Sequence, residues 1–437
     1  MPTHEITLKA AFLYWFKLGF ISFGGPAGQI ALMHTELVEK RRWISEARFL
    51  HALNYCMLLP GPEATQLAIY IGWLMHKTRG GIMAGLLFVL PGLLILILLS
   101  WIYMAFGDNT VVQALMTGIK PAVVAIVLAA AWRIAQRTLK TGVLIAVALA
   151  AFAAIAWLHL PFPLVIIAAA CIGLIFRKYC SSTESPHLQT THPHLSAIID
   201  DNTPTPEHAR FSWLKLLITL GLGISLALAV CLLLALSFDL PNPLPDMASF
   251  FTKAAMLSFG GAYAVLPYMM QAAVEQYHWL STTQMMDGLA LGETTPGPLI
   301  MIVAFVGFIG GWSHAFLGSD HLLLAASLGA CVACFFTFLP SFVFILAGGP
   351  LVESSRNNLH LNAPLNAISA AVVGVIVSLA WLFASHVFLK DAVTLDIQAM
   401  VLTALAGIAV FKFKLSTLKL LAACALAGYI LSLLANI

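Results

Sequence analysis

Long stretches with few or no charges limit what this chain can fold into. Gly85–Met104 and Leu214–Leu236 are each about long enough to cross a hydrocarbon core of about 30 Å. Of the 437 residues, 60% are hydrophobic and only 9% are charged, whereas about a quarter of the residues are charged in soluble domains. The sequence therefore predicts an all-α integral membrane protein. The N-terminus lacks a basic region, so we expect no cleaved signal peptide.

The chain contains one pattern twice. Ser22-Phe23-Gly24-Gly25 recurs as Ser258-Phe259-Gly260-Gly261, and Pro60-Gly61-Pro62 recurs at the same spacing as Pro296-Gly297-Pro298. Later matches follow at a slightly longer spacing, which one insertion around Ser313–His321 explains. Two motifs rich in glycine and proline would not recur at one spacing by chance, so the sequence predicts two homologous halves.

The duplication predicts the domain organisation. Residues 1–178 form the first repeat and residues 239–437 form the second. Between them, residues 179–212 are rich in Ser, His and Pro and are predicted to be a flexible cytoplasmic linker. A metal site at the histidines of this linker is a weaker alternative. Residues 213–238 are predicted to form an extra transmembrane helix.

Lys and Arg cluster in alternate loops of the first half. Basic loops such as Lys40-Arg41-Arg42 and Arg177-Lys178 alternate with turns such as Phe106–Thr110, which has no Lys or Arg. The positive-inside rule places the basic loops in the cytoplasm. In the second half the basic residues, among them Lys412, fall on the opposite alternation. We therefore expect two inverted repeats, with two halves in the same orientation as the alternative.

The first segments of each half are interrupted at matching positions. Gly24-Gly25-Pro26 ends a short apolar segment, and Pro60-Gly61-Pro62 breaks the next one, which basic residues flank on both sides. A re-entrant hairpin fits this second segment better than a full span. Helix N-termini after such breaks would direct unpaired N–H groups at an anion. The alternative is that the glycines only permit close helix packing.

Two lysines lie at matching positions in otherwise apolar segments. A lysine at membrane depth costs at least about 2.5 kcal/mol, so Lys17 and Lys253 are predicted to draw an anion towards the breaks. The alternative is that both side chains extend to the headgroups. Four hydroxyl residues beside the breaks would add hydrogen-bond donors: Ser22, Ser258, Thr294 and Thr295.

Carboxylates also lie beside the breaks. Glu63 follows one Pro-Gly-Pro motif and Glu293 precedes the other. Each is a candidate for carrying a coupled proton, with helix capping as the alternative. His51 and Asp287 occupy matching positions and are further candidates for proton carriage.

The motifs of several enzyme classes are missing. The sequence contains no P-loop, no His-Glu-x-x-His and no dinucleotide fingerprint. Cys331 and Cys334 form a C-x-x-C inside an apolar span, where small packing residues are the better interpretation. We expect no enzyme activity, no cofactor, no bound metal and no nucleic-acid partner.

Several longer motifs identify a resemblance to the chromate transporter family in its two-domain form. They are Phe20-Ile21-Ser22-Phe23-Gly24-Gly25-Pro26, Arg42-Trp43-Ile44, Leu59-Pro60-Gly61-Pro62 with Thr65-Gln66-Leu67-Ala68, Leu257-Ser258-Phe259-Gly260-Gly261 and Thr294-Thr295-Pro296-Gly297-Pro298. The resemblance implies transport of chromate across the bacterial inner membrane, commonly as efflux, with sulfate as the structural analogue. Val265 and Asp287 stand where the first half has Gln29 and His51, so the halves could contribute unequally to one site.

The resulting hypothesis is a multi-pass secondary transporter that moves a small inorganic oxyanion by alternating access. The alternative is an oxyanion-selective channel, and a homodimer is an open expectation for its assembly. A membrane enzyme and a metal exporter are weaker rivals. The predicted substrate-binding residues are Lys17, Ser22, Gly24, Gly25, Pro60, Gly61, Pro62, Lys253, Ser258, Gly260, Gly261, Thr294, Thr295, Pro296, Gly297 and Pro298.

Overall fold

Apolar helices make up almost all of the fold. The computed structural model describes residues 6–107, 109–176, 197–200, 203, 206–238, 242–259, 262–354, 362–390 and 394–435. Six helices within these residues are long and apolar enough to cross a membrane, and four shorter apolar helices have 10–17 residues. The prediction of an all-α integral membrane protein is confirmed.

Seven helices form the first half: α1 (Leu8–Ile21), α2 (Gly25–His34), α3 (Glu46–Leu58), α4 (Glu63–Phe106), α5 (Thr110–Thr138), α6 (Gly142–Ala156) and α7 (Phe162–Ile175). α2 continues into a π-helical turn at Thr35–Lys40. Polar residues between the apolar runs set several helix starts. Ser45 Oγ accepts a hydrogen bond from the backbone of Arg48, and Thr141 Oγ1 accepts one from Leu144. Such caps satisfy N–H groups that have no partner within the helix.

The rest of the chain contains α8 (Trp213–Ser237), α9 (Leu244–Leu257), α10 (Leu266–Met269), α11 (Thr282–Thr294), α12 (Ile302–His314), α13 (Leu322–Ser354), α14 (Asn362–Phe388), α15 (Ile397–Phe411) and α16 (Thr417–Ala435). Short 3₁₀ turns lie at Glu207–Ala209, Ala262–Val265, Leu299–Met301 and Ser319–His321, and a π-helical turn at Met270–Gln276. Leu389–Lys390 pairs antiparallel with Thr394–Leu395. α8 covers the predicted extra helix, and most of its residues are exposed, as lipid contact requires.

α4 folds back on itself. At residues 76–77 the backbone leaves the helical conformation, so residues 63–75 and 78–106 form two antiparallel arms. A Cβ atom on Gly72 would lie 2.5 Å from the carbonyl oxygen of Gly80. Glycines therefore let the two arms approach to backbone contact.

α12 and α13 form the equivalent hairpin in the second half. A Cβ atom on Gly329 would lie 2.1 Å from the carbonyl oxygen of Gly307. The predicted insertion at residues 313–321 lies in the turn between these helices, where α4 has only its bend. The difference in spacing between the repeats is thus a difference in the length of one turn.

The last two helices of each half pack on a long helix of the other half. α15 and α16 contact α5, whereas α6 and α7 contact α14. A Cβ atom on Gly118 of α5 would lie 2.2 Å from the carbonyl oxygen of Cys424 on α16. The halves are therefore interlocked, and neither packs as a finished unit before it meets the other.

Matched helices begin at opposite ends of the arm 78–106. The start of α3 lies beside the described linker residues, close to the bend of α4. The start of α11 lies beside the far end of the arm, where Tyr103 donates a hydrogen bond of 2.9 Å to Asp287 Oδ2. The arm is about 40 Å long at 1.5 Å per residue.

Part of the predicted linker pairs with the first half. Ile199 forms a parallel bridge with Ile44. The backbone N–H of Ser45 donates to the carbonyl of Ile199 at 3.0 Å, and Ile199 donates to the carbonyl of Trp43 at 3.0 Å. These main-chain bonds fix the linker beside the start of α3.

Side chains add to this docking. Arg48 Nη2 donates to the carbonyl oxygen of Thr203 at 2.6 Å, and a ring nitrogen of His208 lies 3.1 Å from the carbonyl oxygen of Trp73. Burial lowers the pKa of His208, which favours its neutral form. Composition predicted a solvated linker, but these residues cover one end of α3 and α4. Residues 177–196, with three of the linker histidines, lie outside the described residues.

Replacing Gly374 by Ala should destabilise the protein by about 1–3 kcal/mol, because a Cβ atom there would lie 1.9 Å from the carbonyl oxygen of Ala148. The control is Gly407→Ala, since a Cβ atom at Gly407 of α15 meets nothing within 4 Å. Thermal unfolding in detergent measures both variants. Equal unfolding temperatures would contradict the close packing of α14 on α6.

Candidate functional site

The four chain breaks meet in two pairs, and each pair joins one half to the other. The backbone N–H of Gly61 donates to the carbonyl oxygen of Ser258 at 3.0 Å, and the N–H of Gly297 donates to that of Ser22 at 3.0 Å. Each Pro-Gly-Pro loop is thus bonded to the serine–glycine loop of the other half. We call Ser22, Gly61, Ser258 and Gly297 the loop junction.

Both Pro-Gly-Pro loops need glycine in the same way. Gly61 has φ +123° and Gly297 has φ +109°, a region that side chains strongly disfavour. There is also no room for a Cβ atom at Gly61, since it would lie 2.6 Å from Ser341 Oγ of α13. The loops are therefore held by backbone geometry and by the long helix behind each of them.

Two glutamine side chains tie the junction together. Gln29 Nε2 donates to the carbonyl oxygen of Ser22 at 3.2 Å and also to that of Gly297, so it joins the halves. Gln66 Nε2 donates to the carbonyl oxygen of Pro60 at 2.7 Å. Gln66 lies in one of the sequence motifs, and Gln29 was noted only as a difference between the halves, so no role was predicted for either. Their positions in apolar segments, within two turns of a break, were the available signal.

Several buried polar atoms in and beside the loop junction have no hydrogen-bond partner among the described residues. They include the hydroxyls of Ser22 and Thr65 and the amide oxygens of Gln29 and Gln66. All four residues have 0% exposed surface. Buried polar groups are normally paired, and each unpaired one costs about 1–3 kcal/mol. These atoms are therefore candidates for contacting a solute or water.

The first serine–glycine loop is open on one side. Gly24 has φ +92° and begins α2, whose first turn has no side-chain cap. A Cβ atom on Gly25 would meet nothing within 4 Å. The positive end of α2 is thus accessible, and its predicted role towards an anion stays a prediction. Gly260 and Gly261, the matching residues of the second half, lie outside the described residues.

The other predicted hydroxyls already donate hydrogen bonds within their helices. Ser258 Oγ donates to Ala255 at 3.1 Å, Thr294 Oγ1 to Leu291 at 2.8 Å, and Thr295 Oγ1 to Gly292 at 2.9 Å, in each case to a carbonyl oxygen. Their oxygens can still accept, but their protons are engaged. Of the four predicted hydroxyl donors, only that of Ser22 is buried and unpaired in the described structure.

Lys17 and Lys253 are not drawn into the junction. Both side chains are exposed, on outward faces of α1 and α9. Lys17 lines a small pocket with Glu36 and Arg41, next to the ion pair that these two residues form. The hydrogen bond from Arg41 is the main cause of a lowered pKa at Glu36. That both lysines draw an anion towards the breaks therefore stays a prediction.

The two carboxylates beside the breaks differ in their surroundings. Glu63 is the first residue of α4, where a negative charge is favourable for the helix dipole. Glu293 lies in the last turn of α11, where a negative charge is unfavourable, and the hydroxyl of Tyr263 donates to its Oε1. Both are half-buried. Arg137 acts electrostatically on Glu63, and Arg133 acts on Glu293. Glu293 is therefore the more unusual group.

His51 and Asp287 do not belong to the junction. His51 is half-buried on α3 at the end that the linker covers. Asp287 is buried on α11 beside a cavity at the opposite end of the molecule, where Tyr103 bonds to it. The matching positions are thus on opposite faces.

Comparisons with known proteins decide the family. The model of the family described as chromate transporter matches residues 9–174 and 245–429, which cover both halves. The chain belongs to the chromate transporter family. The two matched regions leave out the linker and all of α8.

Curated relatives of the transporter extend along nearly its whole length. The chromate transport protein of Cupriavidus metallidurans is 29% identical over 98% of this chain and 94% of its own. That of Pseudomonas aeruginosa is 31% identical over 96% and 91%. A probable chromate transport protein of Synechococcus elongatus is 28% identical over 85% and 83%. No solved structure matches the chain significantly. The transporter is thus a multi-pass membrane protein of a transporter family, not an enzyme.

Replacing Gln29 by Leu should lower both the stability of the transporter and its chromate flux, the flux by about tenfold or more. The change removes the donor that bonds Ser22 and Gly297, and it leaves buried carbonyl groups with fewer partners. Gln136→Leu, at an exposed position of α5, is the matched control. Flux into proteoliposomes and thermal unfolding measure the two effects, and wild-type flux in Gln29→Leu would contradict a role for this bridge.

Proposed function

We propose that the transporter moves chromate, or a related oxyanion such as sulfate, across the bacterial inner membrane by alternating access. The loop junction is the proposed centre of the substrate site. The observation that carries the proposal is the meeting of all four breaks in pairs that cross between the halves. Membership of the chromate transporter family supports the substrate class.

The chemistry of the junction suits a tetrahedral anion. Backbone N–H groups and hydroxyls donate hydrogen bonds without a fixed full charge, and the uncapped start of α2 adds a partial positive charge. Chromate and sulfate are both tetrahedral dianions, so such donors discriminate poorly between them. We therefore expect sulfate to compete with chromate.

The opposed starts of α3 and α11 support an inverted arrangement of the halves. Two similar halves that face opposite ways can exchange conformations, so that one site opens to each side in turn. On one side the docked linker residues cover α3 and α4. On the other side a cavity of about 500 Å³ lies between α4, α5 and α11. In the proposed cycle, this conformation is the one closed towards the linker, and the cavity lies on the opposite face.

The junction itself is closed but weakly held. The two reciprocal backbone bonds each contribute only about 0.5–1.5 kcal/mol to a folded structure. A solute that supplies hydrogen-bond acceptors to Gly61, Gly297 and Ser22 could replace them at small cost. Separation of the loops on one face at a time would then expose the solute to that face.

Efflux is the direction that the family resemblance implies, and a homodimer is the assembly that we carry forward as a hypothesis.

The predicted cytoplasmic position of the linker follows from the basic residues at its end of the molecule, such as Arg41 and Arg42. In that orientation the cavity between α4, α5 and α11 faces away from the cytoplasm.

Flux measurements distinguish the transporter from the rival channel. We expect chromate flux into proteoliposomes to saturate, and internal unlabelled chromate or sulfate to accelerate uptake of radiolabelled chromate by counterflow. Counterflow requires a binding site that carries substrate across the membrane in both directions. A channel has no such site and only dissipates the gradient. Protein-free liposomes are the control. Flux that rises linearly with concentration and shows no counterflow would establish the channel.

Proton coupling is tested at the two carboxylates. Glu293→Gln should reduce the stimulation of chromate flux by a pH gradient several-fold, since it removes the titrating group bonded to Tyr263, and Glu63→Gln should have a smaller effect. Glu275→Gln, on an exposed turn, is the control. Flux is measured with and without an imposed gradient at equal chromate concentration. An unchanged response in both carboxylate variants would remove proton carriage by these residues.

A further inference from the structure

The cavity opposite the linker has a polar wall that the loop junction does not use. We call it the outer cavity. It measures about 500 Å³ and lies between the far end of the arm 78–106, α5 and the start of α11. The polar side chains that line it include Tyr103, Gln113, Thr117, Lys120, Gln284 and Asp287. A lining of this kind, inside a membrane protein, indicates a path for a polar solute.

Lys120 gives the outer cavity a positive charge. Thr117 follows Gln113 by four residues and Lys120 follows Thr117 by three, so the three side chains lie on one face of α5. Lys120 lies about 15 Å along the helix from Thr110. At that depth a lysine is costly unless it faces a partner or water. Lys120 lines the cavity instead of the outer surface, and it is the one cation among the described lining residues.

Asp287 supplies an opposing charge at the inner wall. Its side chain is 3% exposed, and Tyr103 donates to its Oδ2. Its Oδ1 is buried and has no hydrogen-bond partner within the described part of the chain. An unpaired carboxylate oxygen at a buried position is costly, so it favours any nearby positive group. Lys120 lines the same cavity and is the group that can supply this charge.

The first turn of α11 also faces the outer cavity. Thr283 and Gln284 line it, and they lie at the positive end of the helix dipole. The full charge of Lys120 and the partial charge at the start of α11 are both positive, and they face one buried carboxylate, that of Asp287. The resulting potential favours an anion in the cavity. Asp287 competes with that anion for the ammonium group of Lys120.

We propose that the outer cavity is an oxyanion-binding site on the transport path, in which Lys120 holds the anion and Asp287 limits its affinity by competing for the same charge. The proposal rests on the proposed oxyanion transport function. A site on such a path must bind strongly enough to fill and weakly enough to empty. A lysine shared between a fixed carboxylate and a solute meets both requirements, since either partner can replace the other.

A cysteine reporter measures the local potential directly. Thr117 is exposed and lies one turn before Lys120 on the same face of α5. Purified T117C protein is reacted with an anionic and a cationic methanethiosulfonate of similar size, and the wild-type chain gives the background from the native cysteines. Adding K120Q should lower the anionic-to-cationic rate ratio by about fivefold. Adding D287N should raise the ratio, and K120R should preserve it.

The matched control is Lys412→Gln, an exposed lysine at the end of α15. It should leave the ratio unchanged. Equal ratios in K120Q and D287N would overturn the assigned charges. If K120Q does not yield folded protein, the opposite predictions for D287N and K120R still decide the outcome, since an unchanged ratio in D287N contradicts the proposal.

Protection by an anion then tests binding. Sulfate is the probe, because chromate oxidises thiols. Sulfate should slow the modification of T117C, more strongly with D287N and hardly at all with K120Q. Absence of protection in T117C, or equal protection in T117C and T117C/K120Q, would overturn the site. These measurements do not require flux. A protein that binds sulfate here but shows no counterflow would contradict transport by alternating access and leave the oxyanion-binding site itself standing.

Discussion

Within the hydrocarbon of a bilayer there is no water to pair with a peptide group that its helix leaves free. This constraint explains the loop junction. Four interrupted segments can exist at that depth only if each break finds a partner inside the protein. They do so in crossed pairs, with Gly61 bonded to Ser258 and Gly297 bonded to Ser22. The duplication of the chain is thus more than a repetition, since each copy supplies the partner that the other lacks.

The long helices follow the same rule of reciprocity. α5 receives α15 and α16, and α14 receives α6 and α7. Ser341 of α13 stands behind Gly61, and Gly92 in the long arm of α4 stands behind Pro296 and Gly297. Exact symmetry is nevertheless broken by side chains. Gln29 and Gln66 have no polar counterpart at Val265 and Ile302, and Tyr263 pairs with Glu293 in one half alone. The two halves therefore have similar backbones but place different polar side chains around the loop junction.

The sequence revealed the elements that depend on backbone chemistry. Repeated Gly and Pro residues located the breaks, and uncharged runs located helices such as α8, because both effects act locally. The sequence did not reveal partners that depend on the tertiary fold. The bond from Gln29 to Gly297 joins residues far apart in the chain, and nothing local distinguishes a bridging glutamine from one that lines a pore. Lys120 was not singled out because it lies just before the uncharged stretch that follows Pro121, whereas α5 already begins at Thr110. The docked linker residues escaped prediction since their polar composition resembles that of a solvated segment.

The interlocking of the halves has a consequence for synthesis of the chain. α5 leaves the ribosome early, but α15 and α16, which cover its small-residue face at Gly118, are made last. Until then that face must contact lipid or a chaperone, and α14 similarly waits for helices inserted long before it. Completion of the fold is therefore expected to occur as a late, cooperative association within the bilayer, and truncation near the C-terminus would leave the first half without its packing partners.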